Sequence, residues 1–213
     1  MNILFILFIF YFLFYNYYEI FFQFLIKMMG FNVNINIKDL PSKVIFISSH
    51  TSIYDFFIGM IIYYGYLHKK YKLYCLMKKL FESMVSPFLL FIDNKVNIIS
   101  VDKTKNGLTT KIIDTLKTKD NYLIFIAPEG TRKINQTLRK GYWIIAKELN
   151  IDVVYVGIDF HKKYIQLEKN RKVDKNWNIE QDNFIQEAIK YTPLYPEKFY
   201  WTKNYYDKEL VQE

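Results

Sequence analysis

Two short stretches hold side chains whose types and spacing suit chemistry: His50-Thr51-Ser52-Ile53-Tyr54-Asp55 and Glu129-Gly130-Thr131-Arg132. The first offers an imidazole and a carboxylate. A neutral imidazole that takes the proton from an attacking hydroxyl contributes roughly 10²- to 10⁴-fold in rate. A carboxylate on the other ring nitrogen fixes the tautomer and stabilises the imidazolium that forms. On a straight helix, positions five apart do not share a face, so His50 and Asp55 meet only if the chain turns between them. Ser52 predicts that turn, because serine is a favoured N-cap. His50 then lies outside the helix and Asp55 in its first turn. Asp55 also has a second explanation, as the acid at N3 of a capping box, where the helix dipole welcomes it. The two roles are compatible.

In the second stretch Gly130 permits a tight backbone path, Thr131 supplies a hydroxyl, and Arg132 presents a fork of donors suited to phosphate. Glu129 is expected to accept hydrogen bonds that hold the loop. Taken alone, such a turn reads as an ordinary solvated loop.

Both stretches follow apolar, strand-like runs, Val44 to Ser48 and Tyr122 to Ala127. Both are therefore expected at the carboxyl edge of one sheet, where α/β proteins expose side chains for chemistry. Further strands are predicted at Lys72 to Met77, Asn97 to Val101 and Asp152 to Ile158, with Tyr164 to Leu167 as a hairpin partner. Helices are predicted from Ser52 to about Tyr64, and over Lys105 to Lys117, Leu138 to Leu149 and Asn178 to Tyr191. A break falls at Ser86-Pro87. This alternation marks an α/β domain. It divides the chain into an apolar segment 1–29, a connector 30–42, a domain 43–192 and an irregular charged tail 193–213.

The length of 213 residues fits one domain with an appendage. A net charge of +8 invites an anionic partner, nucleic acid or a membrane surface. The N-terminus favours the membrane. Met1 to Tyr18 carries no charge, Glu19 interrupts, and Ile20 to Ile26 continues to Lys27. A helix crosses the hydrocarbon layer with about 20 apolar residues. No basic region precedes the segment and no small-residue cleavage site follows it, which disfavours a signal peptide. A buried core helix and a hairpin dipping into one leaflet, bent near Asn16 to Glu19, stay open. The cations form no single basic helix or binding motif, so a nucleic-acid partner fits poorly and none is expected.

The single cysteine, Cys75, lies in an apolar run and reads as a buried, inert thiol in a reducing compartment. His68, in His68-Lys69-Lys70, reads as part of a solvated face, and His161 precedes Lys162-Lys163. No zinc-ligand spacing is present, and no Gly-x-Ser-x-Gly elbow for a serine hydrolase. The sequon Asn135-Gln136-Thr137 falls beside the second stretch and is expected to stay unmodified.

His50-x4-Asp55 together with Phe125-Ile126-Ala127-Pro128-Glu129-Gly130-Thr131-Arg132 resembles the glycerolipid acyltransferase family, which includes the 1-acylglycerol-3-phosphate acyltransferases. The resemblance runs from about Val44 to Phe160. It takes in Ser48-Ser49-His50-Thr51-Ser52, Lys78-Lys79-Leu80-Phe81 and Gly141-Tyr142-Trp143-Ile144-Ile145-Ala146. It implies that His50 is the base that activates an acceptor hydroxyl against an acyl thioester, with Asp55 as its partner. The family's middle motif ends in an Arg that helps hold the acceptor phosphate. The matching stretch here, Ile99-Ser100-Val101-Asp102-Lys103, ends in Lys103, which keeps the charge but loses bidentate recognition. The fourth motif usually carries proline in an apolar strand; Ile151 to Val156 has Asp152 and Tyr155 there. That departure bears on substrate choice more than on reaction type.

The expectation is thus one α/β domain, a central mixed sheet flanked by helices behind an apolar membrane anchor, with its catalytic domain facing the cytosol. The resemblance implies acyl transfer from acyl-CoA or acyl carrier protein to the free hydroxyl of 1-acylglycerol-3-phosphate, giving phosphatidic acid. His50 and Asp55 would do the chemistry, Lys103 and Arg132 would hold the phosphate, and Glu129, Gly130 and Thr131 would shape its loop. No metal or redox cofactor is expected. The partners are membrane lipids, a lysophospholipid acceptor and an acyl thioester donor. One alternative keeps the reaction and changes the acceptor, to another lysophospholipid or a phosphate-free alcohol. Another is a catalytically silent lipid-binding homologue, against which the intact His50 and Asp55 argue.

Overall fold

In the computed structural model, which describes residues 17–78, 83, 95–101 and 107–201, the apolar runs become strands buried on both faces. The elements in chain order begin with helix α1, described over 17–28, β1 (Asn32–Asn34), β2 (Lys43–Ile47) and α2 (Ile53–Ile62). A π-helical turn (Tyr63–Leu67), β3 (Lys72–Lys78), β4 (Val96–Val101), α3 (Leu108–Lys117) and β5 (Tyr122–Ile126) follow. Then come α4 (Gly141–Leu149), β6 (Asp152–Asp159), β7 (Tyr164–Leu167), α5 (Trp177–Ala188) and a 3₁₀ turn (Pro196–Lys198). The strands form one sheet in the order β1-β7-β6-β2-β5-β3-β4. β2 to β6 run parallel, whereas β7 is antiparallel to β6 and parallel to β1. The sheet is mixed, as expected.

Successive side chains of a strand point to opposite faces, and β2 shows what that does. Val44 and Phe46 join a core with Phe22 and Ile26 of α1 and Ile58 and Ile61 of α2. Ile45 and Ile47 join the opposite core with Ile112 and Leu116 of α3, Tyr142 and Ile145 of α4, and Phe184 of α5. Burial on both faces is why the parallel strands read as unbroken apolar runs. β2 sits inside this three-layer stack with β5 on one side and β6 on the other. Its carboxyl end is therefore fixed from both flanks.

Several boundaries differ from expectation for identifiable reasons. The connector contains β1, which pairs with β7; three residues with two asparagines carry too little β-propensity to stand out. α4 begins at Gly141 rather than Leu138, because the Arg139 N–H bonds back to the Pro128 carbonyl at 2.8 Å. α5 is capped by Asn176, whose side chain accepts from the Asn178 N–H at 2.9 Å. The proposed start at Lys105 and the break at Ser86-Pro87 lie outside the described residues.

Among the described residues no helix is long and apolar enough to cross a membrane. Most of the apolar run, 1–16, lies outside them. The part described as α1 packs on the domain. Phe22 and Ile26 are buried, and the Gln23 side-chain amide donates to the Gly65 carbonyl at 2.7 Å. Glu19, the charge that interrupts the run, pairs with Lys69. Tyr17, Ile20, Phe21, Phe24 and Met28 face outward instead. His68 is not on a solvated face: it is buried, its ring 4.7 Å from that of Tyr18. It ends the π-helical turn, where its N–H reaches the Tyr63 carbonyl at 2.9 Å and turns the side chain under α1.

Gly157 of β6 packs directly against Tyr191, so a Cβ there would collide with the phenol ring. That ring also stacks on Tyr155, with centroids 5.9 Å apart. Gly157→Ala is expected to cost about 1–3 kcal/mol through overpacking. Urea denaturation measures it, and unchanged stability would contradict this packing.

Candidate active site

Strand register brings the two chemical stretches together. Ile47 of β2 is paired with Ile126 of β5, and three residues beyond that pair lie His50 and Glu129. The His50 N–H donates to Glu129 Oε1 at 3.1 Å. On the other flank, Ser48 Oγ donates to the Val156 carbonyl at 2.8 Å and the Tyr155 hydroxyl lies 3.4 Å from Ser49 Oγ. The backbone that carries His50 is thus tied to both neighbouring strands.

Ser52 makes the predicted break. It has extended backbone angles (φ −145°, ψ 166°), and its hydroxyl accepts from the Tyr54 N–H at 2.9 Å. The capping box is complete, and its carboxylate is Asp55. Asp55 Oδ2 accepts from the Thr51 and Ser52 N–H groups, each at 2.8 Å, and lies 3.3 Å from His50 Nδ1. One oxygen therefore makes the cap bonds and also faces the imidazole. The cap bonds immobilise the carboxylate, and the immobilised carboxylate stands beside the imidazole. With Nδ1 on the side of the carboxylate, Nε2 is the nitrogen left for a substrate proton. The His50 side chain keeps 27% exposure, whereas Asp55 keeps 10%.

Glu129 is buried, and its Oε2 has no hydrogen-bond partner among the described residues. Burial pushes its carboxyl up to about 7, with a smaller push from the Asp55 charge, while the backbone N–H groups of Glu129 and His50 pull the other way. A carboxyl that keeps its proton better in the fold than in the open chain weakens the fold as pH rises. Between 4.5 and about 7 the folded state holds a proton that the unfolded chain has lost. The contribution of Glu129 to stability falls through that window and is lowest above it. Glu129→Gln keeps an oxygen for the His50 N–H and cannot ionise. Its stability relative to wild type is expected to rise by up to about 3 kcal/mol across the window, at about 1.36 kcal/mol per pH unit. Urea denaturation at the two ends of the window checks this; a pH-independent difference contradicts it.

The rest of the second stretch is a tightly held turn. Gly130 adopts φ +63°, and its N–H bonds to the Ala127 carbonyl at 3.0 Å. A Cβ at Gly130 would come 2.5 Å from Arg139 Nε, so glycine is favoured by the backbone angle, and any side chain there would also displace Arg139. Thr131 Oγ1 accepts from the Lys133 N–H at 3.2 Å. Asn135 Nδ2 donates to the carbonyls of Glu129 (3.2 Å) and Thr137 (2.8 Å), and its Oδ1 accepts from the Thr137 N–H at 3.1 Å. The sequon asparagine is thus a turn-forming residue that holds the Glu129 backbone. Arg132 lines an open cleft of about 650 Å³ together with Thr51 and Ser52. Lys103 lies outside the described residues.

The structure therefore brings together His50, Asp55, Glu129, Gly130 and Thr131, and sets Arg132 beside them. Sequence reasoning missed Asn135 and Arg139. Asn-x-Thr also matches a local turn pattern, which was the available signal for the first; the second had none. Cys75 is buried, and burial pushes its thiol up to about 12, which makes it inert as expected. Among the described residues no group of His, Cys, Asp and Glu could hold a metal ion.

A three-layer α/β domain with a His–Asp pair and a phosphate-suited turn on adjacent strand ends has the layout of an acyl-transfer enzyme. The family model described as Acyltransferase matches residues 32–159, the span from β1 through β6 that carries both motifs. The chain belongs to this family, the glycerolipid acyltransferases, and its reaction class is acyl transfer. Comparison with curated proteins and with solved structures gave no match.

Proposed function

We propose that the chain is a membrane-bound O-acyltransferase that moves a fatty acyl group from acyl-CoA or acyl carrier protein to the free hydroxyl of 1-acylglycerol-3-phosphate. His50 Nε2 takes the hydroxyl proton as the oxygen attacks the thioester carbonyl. The tetrahedral intermediate collapses with cleavage of the C–S bond, and the departing sulfur receives the proton from the imidazolium. Asp55 holds the ring and stabilises its charged form. Glu129 fixes the His50 backbone, and Arg132 binds the acceptor phosphate, with Lys103 as the second cation. The products are phosphatidic acid and the free thiol.

The observation that carries this reading is the 3.3 Å approach of Asp55 Oδ2 to His50 Nδ1, made while the same oxygen accepts two backbone N–H groups. A carboxylate fixed so firmly serves orientation as well as capping. Membrane association is supported by the outward apolar row on α1 and by the exposed rings of Tyr54 and Phe57 on α2. The cytosolic face fits the lone reduced thiol, Cys75.

The test is a panel of lyso-acceptors, with and without phosphate, incubated with labelled acyl-CoA and with acyl carrier protein thioester. The reading predicts transfer to the phosphate-bearing acceptors and its loss in Arg132→Ala with Lys103→Ala. Transfer that survives both substitutions identifies a phosphate-free acceptor instead. Lipid binding without turnover across the panel identifies a silent homologue.

A further inference from the structure

The cleft beside Arg132 has lining residues that the family match does not include. Thr51 and Ser52 at the start of α2, Arg132 and Lys133 of the turn, and Tyr195 and Lys198 all line it. The match ends at residue 159, so Tyr195 and Lys198 come from a C-terminal segment beyond it. That segment is anchored. The Phe160 N–H bonds to the Thr192 carbonyl at 2.8 Å, and Phe199 is 2% exposed within the core that α3, α4 and α5 cover. The Tyr195 N–H points to Thr51 Oγ1 at 3.5 Å, directly onto the stretch that carries His50. Between the two anchors, Lys198 lies on the 3₁₀ turn with its ammonium 3.8 Å from the centre of the Tyr195 ring.

Arg132, Lys133 and Lys198 therefore border one cleft, and no carboxylate is among the described residues that line it. Cations gathered around a cleft whose described lining has no carboxylate create a field that favours an anion. The cleft has room for a small headgroup. We infer that Lys198 is a phosphate-binding residue that completes, from the C-terminal segment, the cleft that Arg132 also lines. It gives the enzyme its preference for a phosphate-bearing ligand. That phosphate belongs to the acceptor headgroup or to coenzyme A. The inference rests on the acyl-transfer reading, but ligand binding tests it separately from turnover.

The experiment uses the full chain in detergent. Isothermal titration measures binding of a short-chain lysophosphatidic acid, of coenzyme A and of the matching monoacylglycerol, to wild type, Lys198→Ala and Lys198→Arg. Lys198→Ala is expected to weaken a phosphate-bearing ligand about tenfold, the value of one charge-assisted hydrogen bond. Monoacylglycerol binding stays unchanged, and Lys198→Arg stays within about twofold of wild type because it restores the donor. A loss confined to lysophosphatidic acid assigns the phosphate to the acceptor, and one confined to coenzyme A assigns it to the donor. In turnover the loss appears as a raised KM for that ligand with kcat nearly unchanged. Unchanged binding of both phosphate ligands overturns the inference, and so does an equal loss for monoacylglycerol. Binding through Lys198 without any acyl transfer would overturn the proposed reaction and leave the anion site standing. Normal transfer with unchanged binding would do the reverse.

Discussion

Replacing His50 by alanine is expected to lower kcat roughly 10²- to 10⁴-fold, the contribution of a positioned general base. The fold should not suffer. The bond to Glu129 is made by the His50 backbone N–H, which alanine retains, and the imidazole itself is partly exposed. The loss therefore belongs to the transition state, and KM for the acyl donor should stay within about twofold. Initial rates with labelled acyl-CoA and an unfolding midpoint, measured together, separate the effects. A variant that loses rate only in proportion to folded protein would contradict the assignment.

The second large effect divides the two duties of Asp55. Asparagine at this position offers an amide oxygen to the Thr51 and Ser52 N–H groups, so the cap on α2 persists. It carries no charge to stabilise an imidazolium, and its amide can hold the ring in the wrong tautomer. Asp55→Asn is expected to lower kcat about 10²- to 10⁴-fold with little change in stability. Asp55→Ala should lose as much rate and also about 1 kcal/mol of stability, the usual worth of a cap. If Asp55 only capped the helix, the asparagine variant would keep its rate. Urea denaturation and kcat for both variants distinguish the cases.

Much of this site was legible in the sequence. Ser52 gave away the chain reversal that lets His50 meet Asp55, because an N-cap residue between them takes His50 off the helix. The runs Val44 to Ser48 and Tyr122 to Ala127 placed both motifs at one sheet edge, because strands buried on two faces leave unbroken apolar sequence. The His50–Glu129 contact was not legible. It depends on the pairing of Ile47 with Ile126, and register between strands distant in sequence leaves no local trace. His68 misled because Lys69 and Lys70 follow it, yet the π-helical turn rotates it inward under Tyr18. The two prolines near the C-terminus suggested an irregular tail. They conceal a segment that buries Phe199 and brings Lys198 to the cleft.

The most direct measurement is mass-spectrometric detection of phosphatidic acid made from acyl-CoA and 1-acylglycerol-3-phosphate by the full chain in liposomes, beside His50→Ala. The account predicts phosphatidic acid and free coenzyme A in equal amounts from wild type, and background levels from the variant. Equal product from both proteins would contradict it.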